Sequence, residues 1–192
     1  HIEFEGEKLF ELLLTKEQIG HILAVLRKHQ IPMVLEGPNY IYVDEKDFVD
    51  DPYVIYLRNE LGENLKSITG TAQYEVNKLS AELGNADVEL VRKELGTEFD
   101  MIVHEPDGIL EIGQAGHSKA SGIERLCASL GIAKEDTYAF GDSANDVEML
   151  EFVAHGIAMG NGTDVAKNAA EFVTTDIHKD GIWNGLKHYG LI

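Results

Sequence analysis

A single cysteine, Cys127, leaves the chain without an internal disulfide framework. That suits a reducing compartment, the cytoplasm. No apolar run approaches the ~18–20 residues that cross a bilayer. The start, HIEFEGEKLF, lacks the basic, apolar and cleavage segments of a signal peptide. Basic residues are scarce, with 16 Lys and Arg against 34 Asp and Glu and a formal net charge of −18. The balance is −13 over residues 1–113 and −5 over residues 114–192. Such a field repels phosphate backbones and anionic membrane surfaces, which argues against nucleic acid or a membrane as partner. An anionic ligand would need a local cation to overcome it. The eight histidines show no metal-ligand spacing, and only His117 lies near the candidate residues described below. Methionine is missing from position 1, where His1 leads straight into strand-like alternation. That fits a start removed by tagging or processing, or a piece of a longer protein.

What remains is 192 residues, 44% hydrophobic and 26% charged, enough for one large domain or two small ones. Residues 15–30 read as a helix, with Thr15 and Gln18 as a capping box and Ile19, Ile22, Leu23 and Leu26 on one face. Residues 39–43 read as a strand. A second helix is expected over 72–83, on the spacing of Ala72, Val76, Leu79 and Leu83. Residues 99–104 and 109–112 read as strands around the turn Pro106-Asp107-Gly108. Tyr40, Tyr42, Tyr53 and Tyr56 are expected to pack in strands, and the acids Asp44, Glu45, Asp47, Asp50 and Asp51 to form a solvated face. Glu36 to Asn39 are expected at a turn facing a substrate. Residues 1–113 thus form an α+β layer.

From 114 onward the rhythm changes. A helix over 119–130, with Cys127 on its apolar face, precedes short apolar strands at 138–141, 156–159 and 172–175. Helices at about 145–153 and 163–170 alternate with them. This is the pattern of a parallel sheet with right-handed crossovers, so the fold class is α/β. Function in such sheets gathers at the carboxyl ends of the strands. The stretch FGDSANDVEML, residues 140–150, stands there. Asp142 leaves the strand after Gly141, and Asn145 and Asp146 fall in the first turn of the next helix, where backbone N–H groups favour anions. Capping by Asp142 and Ser143 is the plain structural explanation. A hard cation such as Mg2+, which takes one or two carboxylates with water and phosphate oxygens, is the functional one.

The strings HSKASGIERL (117–126), LGI (130–132), YAFGDSANDVEML (138–150), GIAMGNG (156–162) and FVTTD (172–176) decide between them. Together they resemble the third and fourth motifs of the haloacid dehalogenase superfamily of phosphatases, in order and spacing. The resemblance is to its Cof-type group with a class IIB cap. It implies a Rossmannoid core half over 114–192 and an α+β cap over 1–113. It implies that Asp142 is a Mg2+ ligand and that Asn145 hydrogen-bonds the phosphoryl group. Asp146 would complete the metal shell through water or fix the loop. Lys119 would neutralise the nucleophile and phosphate oxygens. Ser143 and Asn161 are further candidates, Asn161 being balanced between a ligand role and packing.

The same resemblance implies an Asp-x-Asp-Gly-Thr motif carrying the nucleophile, and no such string occurs in residues 1–192. MIVHEPDGIL (101–110) imitates it with Glu105 and Asp107, but only 14 residues before Lys119, and reads better as a hairpin. The expectation is therefore a cap and the rear half of a core, with strand 138–141 at an unpaired edge and with no hydrolysis by this stretch alone. The intact protein would hydrolyse phosphate monoesters of small metabolites. A phosphomutase of the same cap class, or an inactive module that binds a phosphometabolite, are the alternatives.

Overall fold

The computed structural model describes residues 1–44, 48–68, 74–104 and 108–192. Strands β1 (Ile2–Phe4) and β2 (Glu7–Phe10) form a hairpin. Its two loop residues, Glu5 and Gly6, both have positive φ, as a tight two-residue hairpin turn requires. Helix α1 (Lys16–Lys28) follows, with both halves of the Thr15–Gln18 capping box made. Next come β3 (Met33–Glu36), β4 (Ile41–Val43), α2 (Pro52–Leu61), β5 (Leu65–Ser67), β6 (Lys78–Glu82), α3 (Val88–Leu95), β7 (Phe99–His104) and β8 (Ile109–Gln114). Then follow α4 (Lys119–Leu130), β9 (Tyr138–Gly141), α5 (Val147–Phe152), β10 (His155–Ala158), α6 (Asp164–Ala169), β11 (Phe172–Val173) and α7 (Gly181–His188). The contacts divide the chain into two compact units, Glu3–Gly116 with His1, and His117–Ile192 with Ile2.

The first unit is built on a six-stranded sheet ordered β5-β4-β3-β6-β8-β7. Period-2 alternation sends Met33, Leu35, Leu79, Ala81, Leu110 and Ile112 to one face. There they join Ile19, Ile22, Leu23 and Leu26 of α1 and Val91 and Leu95 of α3 in a single core. Each of these side chains larger than alanine contributes about 1.5–3 kcal/mol on burial. A smaller cluster of Val34, Val43 and Val54 lets α2 cover the β3–β5 end of the opposite face.

Three sequence expectations fail here for physical reasons. The helix expected over 72–83 is not formed over Lys78–Glu82, which is strand β6 between β3 and β8. Leu79 and Ala81 alternate into the core, and pairing on both sides outweighs the helical spacing; Ala72 lies outside the described residues. Tyr53 and Tyr56 stand on α2, which begins at an Asp51 cap followed by Pro52 at the first turn. Asp44 is not part of a solvated face: it is buried and takes a hydrogen bond from Arg27 Nε at 2.7 Å. Glu45, Asp47 and the Glu105–Asp107 stretch lie outside the described residues.

The second unit holds a parallel sheet ordered β11-β10-β9. Among the described residues β9 pairs with β10 alone and forms the edge. Gly131 closes α4 in the left-handed region, and Cys127 on that helix is half-buried rather than core. No described helix is long and apolar enough to cross a membrane.

Candidate active site

The carboxyl end of β9 meets the start of α4. Ser118 caps α4 through a reciprocal box with Ser121: Ser118 N–H donates to Ser121 Oγ at 3.0 Å, and Ser121 N–H to Ser118 Oγ at 3.4 Å. This puts Lys119 at the first helical position. A lysine there opposes the helix dipole. Its charge and the helix N-terminus together make a local positive region in an acidic molecule. Such a conflict with a local rule is where a functional residue is expected.

Lys119 Nζ donates to Asp146 Oδ1 at 2.5 Å. The other oxygen of Asp146 accepts from Asp142 N–H at 2.9 Å and Ser143 N–H at 3.2 Å. Asp146 is 4% exposed, whereas the Lys119 side chain is 49% exposed. Burial on its own would push the Asp146 carboxyl up. The Lys119 hydrogen bond, the two N–H donors and the lysine charge outweigh it and hold the group below the usual aspartate value. Asp146 is therefore a clamp. It ties the loop after β9 to the first turn of α4, with both oxygens occupied.

That clamp leaves Asp142 exposed at the strand end, with no partner for its carboxylate among the described residues. Ser143 Oγ donates to Asn145 Oδ1 at 2.6 Å, so the Asn145 amide keeps its N–H donors for another acceptor. Gly141 is required beside the clamp, since a Cβ there would stand 2.6 Å from Asp146 Cβ. Asn161, balanced on sequence between ligand and packing, accepts from Ile177 N–H at 2.9 Å, which ties its loop to the segment after β11.

Thr163 was not singled out by the sequence, whereas Gly162 closes the GIAMGNG string. Thr163 N–H donates to the Asp142 carbonyl at 2.8 Å, and its hydroxyl reaches the same oxygen at 3.3 Å. A Cβ on Gly162 would stand 3.0 Å from both Asp142 Cα and its carbonyl oxygen. The loop after β10 thus braces the backbone of Asp142. The only signal for this was the glycine pair Gly160 and Gly162 at a neighbouring strand end.

Lys119, Asp142, Ser143, Asn145 and Asp146 are therefore gathered in one place, and Asn161 braces from the side. No group of three or more His, Cys, Asp or Glu able to hold a metal is assembled among the described residues. The donor set still suits a hard cation that takes one free carboxylate here, with its other ligands from water and phosphate. Asp142 carries a carboxylate that could serve in this way.

Comparison with known proteins places the chain in a family. The chain is 36% identical over 138 residues to the 5-amino-6-(5-phospho-D-ribitylamino)uracil phosphatase YitU of Bacillus subtilis (strain 168), covering 69% of this chain and 47% of that protein. It is 30% identical over 193 residues to a phosphoglycolate phosphatase of Halobacterium salinarum, covering 84% of this chain and 85% of that one. Among solved structures it is similar to a HAD subclass IIB sugar phosphatase, with TM-score 0.80, 25% identity, and coverage of 98% of this chain and 72% of the other. The chain spans less than half the length of the Bacillus relative. The family pattern for haloacid dehalogenase-like hydrolases matches residues 1–186, and the chain belongs to that family.

Proposed function

We propose that the protein is a Mg2+-dependent phosphatase of small phosphorylated metabolites, acting in the cytoplasm. The observation that carries this is the Asp146 clamp. One buried carboxylate holds both the Lys119 ammonium and the Asp142–Ser143 backbone, so a cation and the residue that carries a free carboxylate share one anchor. Phosphoryl transfer depends mainly on positioning and charge neutralisation, and those two groups supply both.

In this reading residues 114–192 are the rear half of the catalytic core and residues 1–113 its cap. The change from the six-stranded sheet to the parallel one between Gln114 and Lys119 supports the boundary. Lys119 sets its ammonium against the phosphate oxygens and the nucleophile. Asn145 donates its amide N–H to a phosphoryl oxygen. Asp142 would hold Mg2+, and Asp146 would orient both Lys119 and the Asp142 loop without being a direct ligand. Bound there, Mg2+ would offset the charge of the transferring phosphoryl group. The nucleophile is an aspartate outside residues 1–192. Its carboxylate oxygen forms a bond to phosphorus as the ester oxygen leaves, and water then cleaves the aspartyl-phosphate.

The test is phosphate release from a panel of phosphate monoesters by the full-length protein, with Mg2+ and with chelator. Release that needs Mg2+ and is lost in Asp142→Asn is the expected result. Transfer of phosphate to a second sugar without release would show a mutase instead. Binding of the esters with no turnover would show an inactive module.

A further inference from the structure

The loops that leave β9, β10 and β11 lie one against the next, all within the second unit. Gly160 N–H donates to the Thr175 carbonyl at 3.1 Å. A Cβ on Gly160 would stand 2.6 Å from both Thr175 C and Asp176 N, so the loops after β10 and β11 touch backbone to backbone. Ile177 N–H holds Asn161 Oδ1 as well. On its other side the same loop meets Asp142, whose carbonyl takes the Thr163 N–H at 2.8 Å. Contact this close transmits a shift rather than absorbing it. The position of Asp142 therefore depends on a loop two strands away.

A side chain on α7 closes that outer loop. Asn184 Nδ2 donates to Thr175 Oγ1 at 2.8 Å and to the Lys179 carbonyl at 2.9 Å. Thr175 Oγ1 gives its own proton to the same carbonyl at 2.8 Å, so its lone pairs face Asn184. Both oxygens accept here, and only a side chain with two donors can clip them together. The turn that brings α7 back to the loop passes through Asp180, which stands in the left-handed region at φ 56°. A non-glycine residue keeps that conformation only where its surroundings hold it. The Asn184 bonds are exposed, and exposed hydrogen bonds exchange for water with little net gain in stability. What they do fix is the direction of the Thr175 carbonyl and the Ile177 N–H, the two groups that hold the loop after β10.

We propose that Asn184 is a positioning residue for Asp142, acting through Thr175 and the loop after β10. The proposal rests on reading Asp142 as the free carboxylate of a phosphoryl-transfer site. Asn184 acts at a distance and touches no substrate. With its clip open, the loop after β11 relaxes away from Gly160 and the loop after β10 follows. Asp142 then loses the brace on its carbonyl, while the Asp146 clamp on its N–H stays. Small displacements of a positioning group lower the rate of the chemical step far more than they weaken binding of substrate held elsewhere.

Four variants of the full-length protein test this. Asn184→Asp keeps the shape but sets an acceptor against the Lys179 carbonyl. Thr175→Val removes the hydroxyl at similar volume, and Thr175→Ser keeps it. Tyr189→Phe, just past the far end of α7, removes a hydroxyl that donates to Glu171 and serves as control. Two readouts are taken: the backbone amide shifts of Asp142 and Thr163 by NMR, and phosphate release from a monoester at saturating Mg2+. Asn184→Asp and Thr175→Val should each move both amides and lower kcat about tenfold, with KM within about twofold. Combined, they should cost no more than either alone, because both open the same clip. Thr175→Ser and Tyr189→Phe should leave amides and kcat as they were. Unmoved amides in Asn184→Asp and Thr175→Val would overturn the coupling. Moved amides with kcat unchanged, or an equal fall in Tyr189→Phe, would overturn the positioning role. A protein that releases no phosphate from any ester would fail the phosphatase reading instead, and the amide shifts would still decide the coupling.

Discussion

Replacing Asp146 by asparagine separates the clamp from the loop it holds. The volume is kept, but one oxygen becomes an NH2. That group must face either the Lys119 ammonium or the N–H groups of Asp142 and Ser143, donor against donor. The Lys119 contact is half exposed, so solvent screening limits its share to about 1 kcal/mol. The two N–H groups beside a 4% exposed side chain lose a charged acceptor, which costs about 1–3 kcal/mol. The expected loss is therefore about 2–4 kcal/mol. Trp183 is the only tryptophan and lies on α7, in the second unit, so its fluorescence during urea unfolding reports on the right part of the chain. Asp142→Asn is the internal control. Its carboxylate has no partner among the described residues, so the change should stay within about 0.5 kcal/mol. If Asp146→Asn costs no more than Asp142→Asn, the clamp is not what holds this loop.

Further expectations follow from the same geometry. Because the folded-state pKa of Asp146 lies below its ordinary value of 3.8, its stabilising contribution is whole above that value and is lost as pH falls through the lowered one. Urea midpoints read by Trp183 should fall across that acidic window in the unsubstituted chain, and less steeply in Asp146→Asn. Gly162→Ala pushes a methyl to 3.0 Å from the Asp142 backbone and should cost about 1–3 kcal/mol, seen as a lower melting temperature. Arg27→Met leaves the Asp44 carboxylate, 1% exposed, without its charged partner and should cost about 3 kcal/mol by calorimetry.

The second unit was legible as far as β11 because its elements carry their own punctuation, whereas α7 was not read from the sequence. Gly131 stops α4, Gly141 ends β9, and apolar runs too short for helices alternate with helical spacing. The first unit was legible only in part. Val76, Leu79 and Leu83 satisfy a helical period and Leu79, Ala81 and Leu83 a strand period, and only pairing with β3 and β8 resolves the two. The Asp51-Pro52 start of α2 was written in the chain but hidden inside a run of acids. At the site, residue types and spacing named Asp142, Asn145 and Asp146, and the family resemblance added Lys119. They did not show which aspartate is free. That depends on a hydrogen bond spanning 27 residues, from Lys119 to Asp146, and on two backbone N–H groups, none of which a pattern of side chains reveals. The Thr163 brace was likewise invisible, since it acts through a backbone carbonyl.

The central claim is that Asp142 and Lys119, held by Asp146, form half of a phosphoryl-transfer site. The most direct test is phosphate release by the full-length protein from a monoester it turns over, compared with its Asp142→Asn variant at saturating Mg2+. Loss of an electrostatic group aimed at the transferring phosphate predicts a fall in kcat of at least about a hundredfold, with the fold stability of the variant unchanged. An Asp142→Asn protein that keeps its Mg2+-dependent rate would contradict the account.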